Sequence, residues 1–352
     1  MKFLIHKTTL ALAVLVSVSF TPAGAVDIVT KKSDAKKVSG SISAMSKTDV
    51  TIKRLQGDET IAANDLAAIE WDGGGPTLKL GYPEENSGQY ELATKSFQKA
   101  KSEAKSPSPF LAGEYEYVLA RVLARQALTD PDKREQAIQK LMAAQKAYPE
   151  HVRFYESALF LSQVQLAAKD FEGLHKTIEI LKKAPWNDVK LAAQITESRA
   201  LVSEGKIEDA IAGFEAVANS AGDSPVELAR KYEAQLGQAR GLILQTKLDE
   251  ALKILEAVVE KASAEETAVL AEAYVLEGQA LSRLGRNKEA ALAYLHVDVL
   301  FPREANFHAE ALYQLSSLWK LVQQPDRSVE AAGKLVQIYP HSEWRKKLAG
   351  SE

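Results

Sequence analysis

Hydrophobic and polar residues alternate along this chain in two different rhythms. From Val26 to about Trp71 the period is near two: "KVSGSISAMS" sets Val38, Ile42 and Ala44 on alternate positions, and "DVTIKR" does the same with Val50 and Ile52. That spacing predicts half-buried strands. Gly57 and Asp58 supply a turn before "ETIAA". "NDLAAIEW" then predicts a short helical turn started at Asn64 or Asp65, followed by a last strand carrying Ile69 and Trp71. "WDGGGPTLKLGYP" follows, and three glycines before a proline read as a linker over residues 73–84. A phosphate-binding loop at Gly73–Gly75 lacks the Lys-Ser/Thr pair and strand-loop-helix context that such a loop needs.

From residue 85 onward the rhythm is helical and it repeats. In "RLGRNKEAALAYLHVDVLFP", Ala290 is followed by Tyr294 four residues on, and Pro302 closes the run. The same spacing joins Ala93 to Phe97, Ala137 to Leu141, Leu174 to Ile178, Ala210 to Phe214, Ala251 to Leu255 and Ser328 to Ala332. Upstream of two of these phrases lie partner segments with bulky and small residues in turn: Tyr274, Gly278 and Leu281, then Leu312, Leu315, Ser316 and Trp319. Two antiparallel helices approach closely where small residues face each other and bulky ones fill the surround. Proline at 149, 302 or 340 then ends the second helix.

This pattern resembles the tetratricopeptide repeat. The resemblance covers roughly residues 85–345 and implies a right-handed α-solenoid of six or seven antiparallel helix pairs. The sequence departs from the family in its intervals of 44, 37, 36, 41, 39 and 38 residues, against the usual period of about 34. "QALTDPDKRE" and "ANSAGDSPVE" are expected to hold the excess as extended connections. Glu277 stands where the family prefers leucine, and Lys169, Thr246 and Gln324 stand where it often has glycine at the hairpin turn. The longer period and "YP" endings are similar to the repeats of bacterial envelope-assembly proteins. The N-terminal strands resemble SH3-like or Sm-like small barrels in pattern alone. The expected organisation is a mainly α chain: a leader over 1–25, a barrel-like β domain over 26–72, the linker, and a repeat array over 85–352 closed by a capping helix around Trp344 and Leu348 behind an N-cap at Ser342.

Composition narrows the function. Lys2 and Lys7, the apolar run Leu10–Phe20 and "AGA" at 23–25 read as a secretory signal cleaved before Val26. The expected location is therefore exported, periplasmic or secreted. The formal charge of −3 becomes more negative once the leader's lysines are gone, which offers nucleic acid no attraction. Cysteine is absent, so disulfides, thiolate ligands and a lipid-anchored cysteine are excluded. No later run is long and apolar enough to predict a membrane span. The scattered histidines form no HExxH pattern and no GxSxG elbow occurs, so neither a metal, a cofactor nor an enzymatic activity is expected.

What remains is binding. In the resembled fold the first helix of each pair lines a concave groove, and the first-helix residues left to face it are Gln163, Arg199, Arg240, Glu272, Gln279, Arg283, Glu310, Tyr313 and Lys320. Mixed charge with one aromatic suits an extended peptide or protein partner. The expected function is an exported protein-interaction scaffold, with envelope assembly as the setting its resemblance implies. Two alternatives stay open: a cell-wall polysaccharide binder using Trp71 as a stacking platform, and a structural protein that self-assembles through the ends of its array.

Overall fold

A computed structural model describes residues 26–350. The leader expected over 1–25 lies outside the described residues.

Among the described residues the strand rhythm yields five strands: β1 (Asp27–Lys31), β2 (Lys37–Met45), β3 (Asp49–Lys53), β4 (Glu59–Ala62) and β5 (Leu66–Glu70). They form one antiparallel sheet in the order β4-β3-β2-β1-β5, with a 3-10 turn at Ala63–Asp65 where the sequence predicts a helical turn. Val29 lies opposite both Val38 and Ile69, and Val50 opposite Ile61, so the alternating apolar residues gather on one buried face. The alternation breaks once. A bulge between Ile42 and Ala44 leaves Ala44 exposed and turns Met45 inward, because an inserted residue shifts every later side chain to the opposite face.

Behind the sheet, the described residues form seven antiparallel helix pairs and a cap. The pairs are α1 (Gly75–Asn86) with α2 (Tyr90–Glu103), α3 (Pro109–Thr129) with α4 (Arg134–Ala147), and α5 (Phe154–Ala168) with α6 (Phe171–Leu181). Then come α7 (Asn187–Ser203) with α8 (Ile207–Ser220), α9 (Pro225–Leu244) with α10 (Leu248–Lys261), α11 (Thr267–Arg283) with α12 (Asn287–Leu300), and α13 (Ala305–Leu321) with α14 (Pro325–Ile338). Each first helix touches its own partner and the next first helix, from α3 through α13, so the array is a two-layer stack with an inner row of odd-numbered helices. Helix starts follow local chemistry: Ser108 accepts from Leu111 N and Asp170 from Gly173 N, and Pro109 and Pro225 occupy first turns where their missing N–H costs nothing.

The linker expected over 73–84 is instead the start of the array. Gly75-Pro76 opens α1, since proline is tolerated in a first turn. Gly81 of α1 lies under the Phe97 ring so closely that a Cβ there would be 2.3 Å from Cε1. Gly278 and the Tyr294 ring repeat this seat in the sixth pair, with 2.6 Å to Cε2. The long intervals also resolve differently from expectation. Most of the excess is helix, because α3 runs 21 residues and α9 runs 20, and "QALTDPDKRE" is largely the end of α3 plus a 3-10 turn at Pro131–Lys133.

Six hairpin turns pass through the left-handed region, at Gly88, Lys169, Gly205, Thr246, Gly285 and Gln323. The non-glycine in the last pair is therefore Gln323, one residue earlier than the Gln324 expected. The C-terminal cap forms as predicted: Arg345 N donates to Ser342 Oγ at 3.1 Å, and α15 (Glu343–Gly350) buries Leu348 while Trp344 packs on Tyr313 at 5.3 Å between ring centres.

Candidate functional site

All nine residues expected to face the groove lie on the inner row, on α5, α7, α9, α11 and α13. Most are engaged with the neighbouring first helix. Arg199 pairs with Glu233 at 2.9 Å, Arg240 with Glu272 at 2.6 Å, Gln279 Nε2 donates to Glu310 at 2.8 Å, and Arg283 donates to the Ile243 carbonyl at 2.7 Å. Tyr313 packs against Trp344 of the cap with the rings tilted. Gln163 and Lys320 are exposed. These bonds tie consecutive pairs side by side, so the residues form a polar rail along the inner layer. Burial raises the Glu310 pKa, partly offset by the Gln279 hydrogen bond.

A concavity lies elsewhere, at the N-terminal end of the same layer. A cavity of about 690 Å³ is bounded on one side by α1, α3, α5, α7 and α9, all first helices, and on the other by β5. None of the nine residues lines it. Its helical wall includes Leu159, Trp186, Val189 and Val226, and its floor carries Arg121, Arg153 and Glu156.

Beneath that floor runs a chain of alternating charge. Arg121 makes a two-point bond to Glu85 (2.8 and 2.7 Å) and reaches Glu156 at 3.1 Å. Arg153 bonds Glu156 at 3.0 Å and grips Glu114 at 3.2 and 3.1 Å, and the Tyr82 hydroxyl donates to Glu114 at 2.8 Å. Arg125 adds a second cation at 3.3 Å from Glu85. Glu85 and Glu114 are 1% and 0% exposed, a placement carboxylates accept only when paired. Burial alone would raise the pKa of Glu156, but Arg153 and Arg121 overcome it and hold the carboxyl at about 2. Glu114 is likewise lowered against its burial, chiefly by Arg153 and then His151. Burial pushes His151 below its ordinary value, and that ring sits between Trp71 and Tyr117 with Nε2 at 3.0 Å from the Phe110 carbonyl.

Trp71 is 6% exposed and belongs to a core shared by the sheet and the N-terminal helix pairs, with Val29, Ile69, Leu78, Phe97 and Val152. The exposed stacking platform expected of it does not exist, because the ring is what joins the sheet to the array.

Sequence reasoning misses this end of the molecule. Arg121, Arg125, Arg153 and Glu156 read as ordinary charged positions on amphipathic helices, and Glu85 reads as the first residue past a linker. Only their convergence in space marks them. Among the described residues no cluster of three or more His, Asp or Glu side chains is placed to hold a metal, and no helix is long and apolar enough to cross a membrane.

No protein-family model and no curated protein matches the sequence. Solved structures do match. A tetratricopeptide repeat protein from Parabacteroides merdae aligns at 14% identity with a TM-score of 0.53, over 79% of this chain and 98% of that one. The apo form of RapI aligns at 13% identity with a TM-score of 0.54, over 76% of each chain. A Rap protein complexed with Competence and Sporulation Factor aligns at 13% identity with a TM-score of 0.50, over 78% of this chain and 76% of that one. The repeating small-to-bulky seats, the two-layer stack and these likenesses agree: behind its five-stranded sheet, the chain has the tetratricopeptide-repeat fold.

Proposed function

We propose that this chain is an exported, non-enzymatic scaffold that holds a peptide or protein partner along its inner helical layer, in the periplasm of a two-membrane bacterium, with envelope assembly as its setting. The observation that carries the reading is the continuous inner row of first helices, polar along its length and hollowed at its N-terminal end into a cavity of about 690 Å³. A protein of this fold, the Rap protein, is known in complex with Competence and Sporulation Factor, which is the kind of use assigned here. Export rests on the basic start, the short apolar run and the small-residue site before Val26.

The test replaces Arg199, Arg240 and Arg283 together by alanine. Arg199 and Arg240 have side chains 47% and 55% exposed, so each pair contributes at most about 1 kcal/mol to folding. Crosslinked partner recovered from envelope extracts should fall several-fold while the melting temperature moves by only a few degrees. Equal recovery by both proteins would remove the rail from the binding surface. N-terminal sequencing of protein from the periplasmic fraction checks export: it should begin at Val26, and recovery only from the cytoplasm would refute that part.

A further inference from the structure

The outer layer of second helices carries one face that the repeat itself does not account for. On α12, Leu292, Val299 and Leu300 are each more than half exposed. With His296 between them they lie three, four, seven and eight residues apart, so they form one outward row. The equivalent of Leu292 is lysine in three other pairs, Lys95, Lys176 and Lys253, and the equivalent of Val299 is charged in three, Lys146, Lys183 and Glu260. No other pair sets a large apolar residue at either place. A solvated face calls for no such change, whereas an apolar row with a charged border is the make-up of a contact surface.

The border shows what fits the row. Lys288 and Glu289 stand before it, and Arg303 and Glu304 stand after it. An antiparallel two-fold contact centred on His296 sets each residue opposite the one equally far beyond that centre in a second copy. Leu292 then meets Leu300 of the second copy, Lys288 meets its Glu304, and Glu289 meets its Arg303, each pair occurring twice. Val299 falls between Leu292 and His296 of the second copy. Every border charge faces the opposite sign, whereas a parallel two-fold contact would set each against its own kind. Among the described residues the side chains of Lys288 and Arg303 have no ion-pair partner. Glu289 bonds Arg286 and Glu304 accepts from Thr267, and each carboxylate has acceptor sites left for a second donor. The neighbouring outer helix agrees. Lys253 and Glu260 of α10, also without ion-pair partners among the described residues, stand at the positions equivalent to Leu292 and Val299. The same operation brings Lys253 level with Glu260 of the second copy.

We propose that the outer face of α12 is a self-association surface, through which two copies of this chain join as an antiparallel two-fold dimer. Burial of Leu292, Val299 and Leu300 supplies the attraction, and the charge pairs set direction and register, since exposed pairs contribute little energy of their own. The two α12 helices pack as neighbours in a bundle do, with axes about 8–10 Å apart. A contact of one helix per copy is smaller than the ~1,600 Å² of a standard interface, so the dimer dissociates in the micromolar range. The face belongs to the outer layer, away from the inner row of first helices, so both copies keep their grooves open. Dimerisation is thus independent of whether the groove holds a partner.

Sedimentation velocity of the purified protein from ~1 to ~200 μM reads the association directly. The weight-average mass should rise from one chain toward two and stop there. Leu292→Glu combined with Leu300→Glu sets like charges opposite each other and should weaken association at least about tenfold. Far-ultraviolet circular dichroism should stay unchanged, because both residues are exposed. Arg303→Glu should weaken association several-fold by facing Glu289 of the second copy, and adding Glu289→Arg to it should restore the dimer, which a loss of folding could not do. A single-chain mass across the whole range overturns the proposal. So does a dimer indifferent to the paired leucine changes, a mass that climbs past two chains, or an Arg303→Glu loss that Glu289→Arg does not repair. Partner capture through Arg199, Arg240 and Arg283 should be the same in all these variants, so failure here removes the dimer and leaves the groove reading standing.

Discussion

Gly278 permits a quantitative test of how the helix pairs are held. It lies inside α11, where replacing glycine by alanine ordinarily adds about 1 kcal/mol through helix propensity. A Cβ at this position, however, would lie 2.6 to 2.8 Å from three atoms of the Tyr294 ring. That ring is 1% exposed and has no free space to move into, so inserting a methyl group costs about 1–3 kcal/mol of overpacking. The net expectation for Gly278→Ala is a loss of about 1 kcal/mol, the overpacking exceeding the propensity gain. Gly333 is the control. It sits inside α14 with nothing within 4 Å of the place an alanine Cβ would take, so Gly333→Ala should stabilise by about the full propensity contribution. Thermal unfolding followed by far-ultraviolet circular dichroism should then move in opposite directions, by about 1–2 °C each way. In a Tyr294→Leu background the Gly278→Ala penalty should shrink by about 1 kcal/mol, since neighbours in contact couple. If both alanine variants stabilise alike, Tyr294 does not seat on Gly278 and the close-contact account of the repeat fails.

Other perturbations follow from the same physics. Thr246→Gly should raise the melting temperature, because Thr246 holds a β-branched side chain at φ 62 and relieving left-handed strain is worth about 1 kcal/mol; Lys169→Gly should do the same to a smaller extent. Arg153→Met leaves Glu114 buried without its main partner and should cost about 3–5 kcal/mol at neutral pH; the loss should shrink near pH 4, where Glu114 can take a proton, and a pH-independent loss measured by urea unfolding would contradict this. In the unaltered protein the carboxyls of Glu114 and Glu156 are held below their ordinary value of 4.5, so the stabilisation each gives is complete above pH 4.5 and declines as pH falls below it, for Glu156 through about 2. His151, also lowered, acts in the same direction from about pH 6.5 downward. A stability curve rising on acidification through that range would refute both assignments.

How much of this is legible in the sequence differs by element. The small-to-bulky phrases at Ala93, Ala137, Ala210, Ala251 and Ala290 all sit at 0% exposure in second helices, because contact between neighbours in sequence leaves a periodic trace. The α1 segment reads wrongly as a linker because glycine and proline are judged locally as breakers, whereas here proline opens a helix and Gly81 makes room for Phe97. The bulge after Ile42 is invisible for a related reason: one inserted residue changes no composition, only phase.

The amino-acid order by itself determined the two rhythms, the hairpin repeat, the cap at Ser342 and the lack of thiol chemistry, all of which depend on residues close along the chain. Tertiary structure alone decided that Trp71 is an anchor and not a platform, that the rail residues bond one another, and that Glu85, Glu114, Arg121, Arg153 and Glu156 converge beneath a cavity beside an open strand edge. Those groups lie up to 71 residues apart, from Glu85 to Glu156. The physical reason is that burial and charge pairing are properties of a place in space, and a solenoid brings distant residues to that place only once the sheet has docked and the first five inner helices have stacked.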